Sequence, residues 1–434
     1  MKFLVSPGAS LRGRLTVPGD KSISHRAVML GAIADGDTRV RGFLAAEDTE
    51  ATVLAFRRMG IAIDRPEPTE LIVHGRGAAG LKPADGPLYL GNSGTSTRLL
   101  AGLLAGQSFD SELQGDDSLS RRPMMRIVEP LRRMGAHIEC SSDGTLPIRI
   151  YGGKPLHGIS YSMPVASAQL KSALLLAGLY AQDSTCVVEP APSRDHSERL
   201  LRHFGCPVTG GQGRICVQRG TLTGAEVQVP GDISTAAFLI TAATLAQGSD
   251  VLLERVGLNP TRDAVITILN SMGARIEVER HYQLGGEPAG DIRVRHAPLH
   301  GVRIPSRLVP YAIDEFPVLM VAAAFASGDT DLSGAAELRV KESDRIAALA
   351  DGLAALGIEV TPRADGMTVR GSAPAGGTVD SRGDHRIAMA FAVAGVAASG
   401  PVQVLDCDNV RTSFPDFDAV LRDLGADIRL EQGG

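Results

Sequence analysis

Met59-Gly60-Ile61 closes an amphipathic run and opens a short apolar one, and the same punctuation returns at Met134-Gly135-Ala136, Phe204-Gly205-Cys206, Met272-Gly273-Ala274, Leu356-Gly357-Ile358 and Leu424-Gly425-Ala426. Successive glycines lie 75, 70, 68, 84 and 68 residues apart. Glycine just past the last periodic residue marks a helix C-cap, because it takes the left-handed turn without a Cβ penalty. The spacing predicts six copies of one unit, each with a helix that stops here and turns into a strand. A second helix per unit, richer in small apolar residues, is expected to start near Ser22, Gly94, Ser167, Ser234, Glu315 and His385. Leu11-Arg12-Gly13, Leu156-His157-Gly158, Leu222-Thr223-Gly224 and Leu299-His300-Gly301 repeat as lead-ins to some of these helices.

A βα unit of this kind cannot bury its own apolar face and must stack on its neighbours. Six such units in 434 residues, more than a single core sustains, predict two α/β (α+β) domains of three units each. Val17-Pro18-Gly19-Asp20 recurs as Val229-Pro230-Gly231-Asp232, each time ending a strand and opening a helix. These echoes are read as the domain crossings, giving one domain of 21–230 and a discontinuous one of 1–20 plus 231–434.

Composition narrows the function. Aromatics are 4% with no Trp, which argues against base-stacking on single-stranded nucleic acid. A net charge of −5 offers no overall attraction to nucleic acid or acidic lipid, so anion-binding cations must be local. Five cysteines without a CxxC pair read as reduced, mostly core thiols rather than a disulfide frame or zinc site. The start MKFLVSPGAS has too short an apolar run for a signal peptide, and no run is long enough to span a membrane. A cytoplasmic protein is expected.

Gly75-Arg76-Gly77-Ala78-Ala79-Gly80 matches GxGxxG, but Pro83 and Pro87 block the helix that a dinucleotide site needs, so it reads as a loop. The chemistry lies elsewhere. Gly19-Asp20-Lys21-Ser22-Ile23-Ser24-His25-Arg26 puts free N–H groups, a hydroxyl and two cations at one helix start, an anion site. Gly91–Arg98 (GNSGTSTR), Arg121-Arg122-Pro123 and Arg194-Asp195-His196 add small residues and arginines at other helix starts. Arg339–Arg345 (RVKESDR) is expected to be helical, with Lys341 and Arg345 on one face at i,i+4 and Glu342 beside them. Asp314-Glu315 and Asp384-His385-Arg386 each open a very apolar helix, and His385 lacks a histidine or cysteine at metal-ligand spacing. Each motif alone reads equally well as a cap or a solvated face. Together they offer anion-binding helix ends in both halves.

These blocks resemble the 5-enolpyruvylshikimate-3-phosphate synthase family over essentially the whole chain. The matching stretches are VPGDKSISHR (17–26), GNSGTSTR (91–98), SRRP (120–123), ASAQ (166–169), SRDH (193–196), IDE (313–315), RVKESDR (339–345), DHRIAM (384–389) and TSFPDF (412–417). The resemblance implies the enolpyruvyl transferase fold: a two-domain inside-out α/β barrel of six βαβαββ-type units, the domains facing each other like cupped hands with the active site in the cleft and closing on substrate.

It also implies transfer of the enolpyruvyl group of phosphoenolpyruvate to the 5-hydroxyl of shikimate 3-phosphate, releasing phosphate, with no cofactor and no metal, by a cytoplasmic monomer with no nucleic-acid or membrane partner. Matching positions assign Lys21, Ser22, Arg26, Ser167, Ala168, Gln169, Arg194, Asp314 and Lys341 to shikimate 3-phosphate. Lys21, Gly94, Arg122, Gln169, Arg345 and Arg386 are assigned to phosphoenolpyruvate. Asp314 is implied as the base on the hydroxyl and Glu342, with Lys21 nearby, as proton donor to the methylene; His385 supports them. Glyphosate is implied as an inhibitor: Ala168 and Arg194 resemble the family's tolerant branch, while Gly94 leaves room for it. Thr412 stands where the other branch has a phosphate-binding lysine, so no contact is assigned there; Arg411 is the adjacent cation.

Two other readings differ at identifiable residues. A UDP-N-acetylglucosamine enolpyruvyl transferase would carry a cysteine in Gly115–Pro123, which has none. A non-enzymatic anion-binding protein would need the cations but not Asp314 and Glu342 at a common centre.

Overall fold

All six Leu, Met or Phe-Gly stops are helix ends. Gly60, Gly135, Gly205, Gly273, Gly357 and Gly425 have φ between 81° and 110°. In each copy the glycine N–H and the next N–H reach back to helix carbonyls, as Gly60 to Arg57 and Ile61 to Phe56, or Gly425 to Arg422 and Ala426 to Leu421. This double closure satisfies carbonyls that the helix end would leave orphaned. The lead-in repeat also has a structural role. The carbonyl of each residue before the glycine accepts an N–H from it, as Met134 from His157, Phe204 from Thr223, Met272 from His300 and Leu424 from Arg12. Lys82 to Met59 and Ala375 to Leu356 complete the six.

The computed structural model describes residues 1–211 and 213–431. The chain divides into two compact units. A terminal unit holds Met1–Pro18, Gly231–Tyr282 and Pro288–Gly434; a middle unit holds Gly19–Pro230 and Gln283–Glu287. The expected boundary at 20/21 therefore shifts, because Asp20 N–H bonds to Pro230 O and its carboxylate caps the helix Lys21–Ala32. The expected assignment of 231–434 to one domain is corrected at Gln283–Glu287, the tip of the hairpin Arg275–Leu284/Glu287–Arg295.

Each unit has three sheets, all mixed except the antiparallel sheet of Gly328–Leu332, Gly366–Gly371 and Glu359–Arg363 in the terminal unit. In the middle unit Ala34–Arg41 pairs antiparallel with Glu70–Arg76 (Thr38 opposite Val73) and parallel with Glu226–Gln228. In the terminal unit Asp250–Gly257 pairs antiparallel with Glu287–Arg295 and parallel with Arg12–Thr16 (Leu253 opposite Leu15). The small-residue helices lie inside these sheets: Lys21–Ala32, Gly94–Leu104 and Ala168–Gly178 in the middle unit, and Ile233–Leu245, Phe316–Ala324 and His385–Ala397 in the terminal one. Every residue of Phe316–Ala324 is buried, which is why that stretch has no polar face. Small residues permit the close approach. A Cβ on Gly102 would stand 2.1 Å from Ala173 O of the neighbouring helix.

Two expectations are corrected. Cys186 and Cys216 are bonded to each other, not reduced. They sit directly opposite in the antiparallel strands Thr185–Val188 and Arg214–Val217, a register that brings two side chains together. Cys140, Cys206 and Cys407 are free. RVKESDR is not one helix: Ala336–Val340 is a 3-10 turn, Asp344 is an N-cap and the helix is Arg345–Ala355, so Lys341 and Arg345 share no helical face. No helix among the described residues is long and apolar enough to cross a membrane.

Candidate active site

The motif residues gather in each unit at the starts of the buried helices. In the middle unit, Asp20 caps Lys21–Ala32 by accepting from Ile23 N–H, which sets Lys21 at the first helical position. Lys21 Nζ is 2.9 Å from Asp48 Oδ2, with about a fifth of its side chain exposed. One turn on, Arg26 is buried among neutral acceptors. Its Nε donates to Ser197 Oγ (2.7 Å), Nη2 to Ser172 Oγ (2.7 Å) and Nη1 to Ser22 O (2.9 Å). Burial lowers its pKa to about 10 against the pull of Glu198 and Asp20, so it stays charged at neutral pH.

Ser93 caps the helix Gly94–Leu104 and Ser167 caps Ala168–Gly178. Gln169, in the first turn of the latter, accepts from Arg98 Nη1 (2.6 Å) and donates to Thr95 Oγ1 (3.1 Å), tying the two helix starts together. Arg122 donates to the side chain and carbonyl of Asn92 and to Ser118 Oγ. A Cβ on Gly94 would meet Arg122 Nη1 and Arg98 Nη1, each at 3.3 Å. His25, which motif reading passed over, is fully buried, its Nδ1 2.7 Å from Thr52 Oγ1, which continues to Ser96 Oγ and Ser93 Oγ. Burial and then the charges of Lys21 and Arg26 hold its pKa well below the ordinary histidine value.

In the terminal unit the cations lie among carboxylates. Arg345, 1% exposed, donates from Nε to Asp384 Oδ2 (2.8 Å), from Nη1 to Asp314 Oδ1 (3.3 Å), and from Nη2 to Glu342 Oε2 (2.6 Å) and Asp384 Oδ1 (3.3 Å). Four of the five donors of a guanidinium are thereby directed at acids. Burial would lower the Arg345 pKa, but Asp384, Glu342 and Asp314 raise it overall. Burial pushes Asp384 up, yet Arg345 holds it below the usual carboxylate range. Asp384 also caps the helix His385–Ala397, which places His385 and Arg386 at its start.

Lys341 reaches Asp314 Oδ1 at 3.3 Å from outside the helix. Arg386 Nη1 donates to Asp314 O (2.9 Å) and lies 3.6 Å from Glu315 Oε1. Glu315, also buried, accepts from Ser234 Oγ; Arg262 donates to that same hydroxyl. Arg262 and Ser234 lie far from any block quoted for the site, and only the fold brings them behind Asp314-Glu315. Thr412 hydroxyl donates to Asn409 O, and Arg411 is exposed.

Among the described residues Asp195, His196 and Glu287 offer three metal-type ligand atoms within 4.8 Å of one another. Arg199 already stands there as the cation, with Nε 2.8 Å from Asp195 and 3.7 Å from Glu287, and His196 Nδ1 is 2.7 Å from Glu287. That is a charge-paired cluster rather than a vacant coordination sphere.

The profile of the EPSP synthase (3-phosphoshikimate 1-carboxyvinyltransferase) family matches residues 5–421. A 3-phosphoshikimate 1-carboxyvinyltransferase from Nitrosococcus oceani is 59% identical over 418 residues, 96% of this chain and 94% of its own length. That of Methylococcus capsulatus is 58% identical over 99% of this chain and 98% of its own. A solved EPSP synthase from Acinetobacter baumannii superposes with a TM-score of 0.91 at 50% identity, covering 99% of this chain and all of that one. The enolpyruvyl transferase NikO from Streptomyces tendae, at 19% identity and a TM-score of 0.80 over 100% of this chain and 99% of its own, shares the fold. The match over nearly the full chain shows that the chain belongs to the EPSP synthase family of enolpyruvyl (1-carboxyvinyl) transferases.

Proposed function

We propose that this chain transfers the enolpyruvyl group of phosphoenolpyruvate to the 5-hydroxyl of shikimate 3-phosphate. The observation that carries the residue assignment is the sharing of one buried guanidinium by two carboxylates: Asp314 on Nη1 and Glu342 on Nη2 of Arg345. A pure anion binder has no use for two acids fixed side by side beside its cations.

In the proposed reaction Asp314 takes the proton of the 5-hydroxyl as its oxygen attacks C2 of phosphoenolpyruvate, while Glu342 delivers a proton to C3. The tetrahedral adduct then loses a C3 proton and its phosphate, which restores the enol. Lys21 and His385 assist the proton transfers. Lys21, Ser22, Arg26, Ser167, Ala168, Gln169, Arg194, Asp314 and Lys341 hold shikimate 3-phosphate; Lys21, Gly94, Arg122, Gln169, Arg345 and Arg386 hold phosphoenolpyruvate. The substrates bring two phosphates and two carboxylates, roughly five to six negative charges, which demands this many cations. Glu342 Oε2 accepts from Arg345 Nη2 at 2.6 Å, and in this reading His385 and Lys21 take part in supplying its proton.

Glyphosate, itself a phosphonate and carboxylate, competes for the phosphoenolpyruvate side in this reading. Ala168 and Arg194 support the tolerant branch, and the hydrogen of Gly94 leaves room for the inhibitor. The enzyme is taken as a cytoplasmic monomer without metal. The test is phosphate release from phosphoenolpyruvate. Release strictly dependent on shikimate 3-phosphate supports the proposal; release dependent on a UDP-sugar, or none, overturns it.

A further inference from the structure

Lys171 lies two positions after Gln169 on the helix Ala168–Gly178, and only 1% of its side chain is exposed. An ammonium so buried costs several kcal/mol of lost hydration unless its partners replace water. Here Nζ is 2.9 Å from Glu189 Oε2, 2.7 Å from Glu198 Oε1 and 3.3 Å from Ser193 O. Those partners are the residue after the strand Thr185–Val188, the loop that follows, and the first turn of the helix His196–His203. Between them runs Pro190-Ala191-Pro192-Ser193-Arg194-Asp195, outside any helix or strand. Its two prolines have no N–H to donate, which removes two backbone hydrogen bonds that the segment could otherwise make. Ser193 Oγ donates to Glu189 as well, so one ammonium and the two acids fix both ends and the middle of the segment that carries Arg194.

The same helix pair has a second rung. Ser172, next to Lys171, bonds to Ser197, next to Glu198, at 2.7 Å, and both hydroxyls accept from Arg26. We propose that Lys171 is a positioning residue for the shikimate 3-phosphate subsite, locking segment 189–198 so that Arg194 is presented to the ligand and the Ser172–Ser197 rung holds Arg26. This rests on the assignment of Arg26 and Arg194 to that substrate. Removing the ammonium leaves Glu189 and Glu198 buried without their cation, and Glu198 already acts on Arg26, whose pKa its charge raises. The orphaned acids then draw on Arg26 and release the Arg194 loop.

The test compares wild type with Lys171→Met and with the charge-free triple variant Lys171→Met/Glu189→Gln/Glu198→Gln. The triple variant removes every orphaned charge while nearly keeping volume. Both variants should raise the KM and the calorimetric Kd for shikimate 3-phosphate on the order of tenfold. The KM for phosphoenolpyruvate at saturating co-substrate, and kcat, should stay within about twofold, a split that general loss of structure does not produce. Unchanged shikimate 3-phosphate affinity in a folded variant overturns this inference alone, as does a triple variant that fails to fold, since Lys171 is then structural. Wild type that does not bind shikimate 3-phosphate overturns the functional reading, and this inference with it.

Discussion

Arg26 of the middle unit is held by two serine hydroxyls and a carbonyl, whereas Arg345 of the terminal unit is held by three carboxylates. Both guanidiniums are buried, and both lie within the first two turns of a helix. Their surroundings give them different work. Neutral acceptors fix Arg26 in place without cancelling its charge, so its field remains for an anionic ligand. Carboxylates neutralise Arg345, and Arg345 in return fixes the carboxylates. On this account Arg26 serves ligand charge alone, whereas Arg345 also orients the two acids assigned to proton transfer.

Replacing Arg345 breaks this comparison most severely. Arg345→Leu leaves Asp384, Glu342 and Asp314 without their shared cation, and breaking a buried pair from one side costs about 3–5 kcal/mol. The urea midpoint should fall accordingly and activity should vanish. A variant of unchanged stability would show that the three acids do not depend on it.

Arg26→Gln should act the other way round. Its partners are hydroxyls that can pair with an amide, so the fold should survive. Shikimate 3-phosphate binding should weaken by about 2 kcal/mol, the scale of a lost charge-assisted hydrogen bond. Calorimetry measures this. Normal binding would remove Arg26 from the ligand set.

His25 sharpens the contrast through pH. Its folded-state pKa lies well below that of the unfolded chain, from burial and then from Lys21 and Arg26. The unfolded chain therefore takes up the proton first. Stability is full above about pH 6.5 and falls as pH drops below it, with a slope of up to about 1.4 kcal/mol per pH unit from this one group. Urea midpoints between neutral and mildly acidic pH should show that slope in wild type and a shallower one in His25→Asn. Parallel curves would remove the buried neutral histidine from the account.

Gly94→Ala is the mildest change. The new methyl would sit 3.3 Å from the Arg122 and Arg98 guanidinium nitrogens, tight contacts with the ends of flexible side chains. A shift of those side chains should raise the phosphoenolpyruvate KM a few-fold, about 0.5–1 kcal/mol, with shikimate 3-phosphate binding unaltered. An unchanged KM would mean that neither arginine meets that substrate from its present position.

Sequence alone revealed the six stops because a helix C-cap is a local device, written in adjacent residues. The small-residue helices were legible for the same reason, and each begins within a residue of its expected start. The helix-start placement of the candidate site residues was legible where caps carry it, as at Asp20-Lys21 and Asp384-His385-Arg386. What stayed hidden is long-range. The Arg262–Ser234–Glu315 chain behind Asp314 and the Lys171–Glu189–Glu198 cluster join residues whose pairing has no sequence signal. Cys186 and Cys216 were masked by an odd cysteine count and emerge only from strand register. Leu81-Lys82 and Pro374-Ala375 make the lead-in contact without the Leu-x-Gly pattern, since a backbone N–H from any residue but proline suffices. Lys341 reaches Asp314 although the helix expected to place it begins four residues later, at Arg345.

The most direct test of the division of labour is Asp314→Asn, assayed for binding and turnover on the same preparation. An amide keeps the shape and cannot accept the hydroxyl proton, so calorimetric affinity for shikimate 3-phosphate should stay near wild type. Phosphate release should fall on the order of 10²–10⁴-fold, the range for loss of a positioned base. Wild-type turnover with intact binding would contradict the account and take the base away from Asp314.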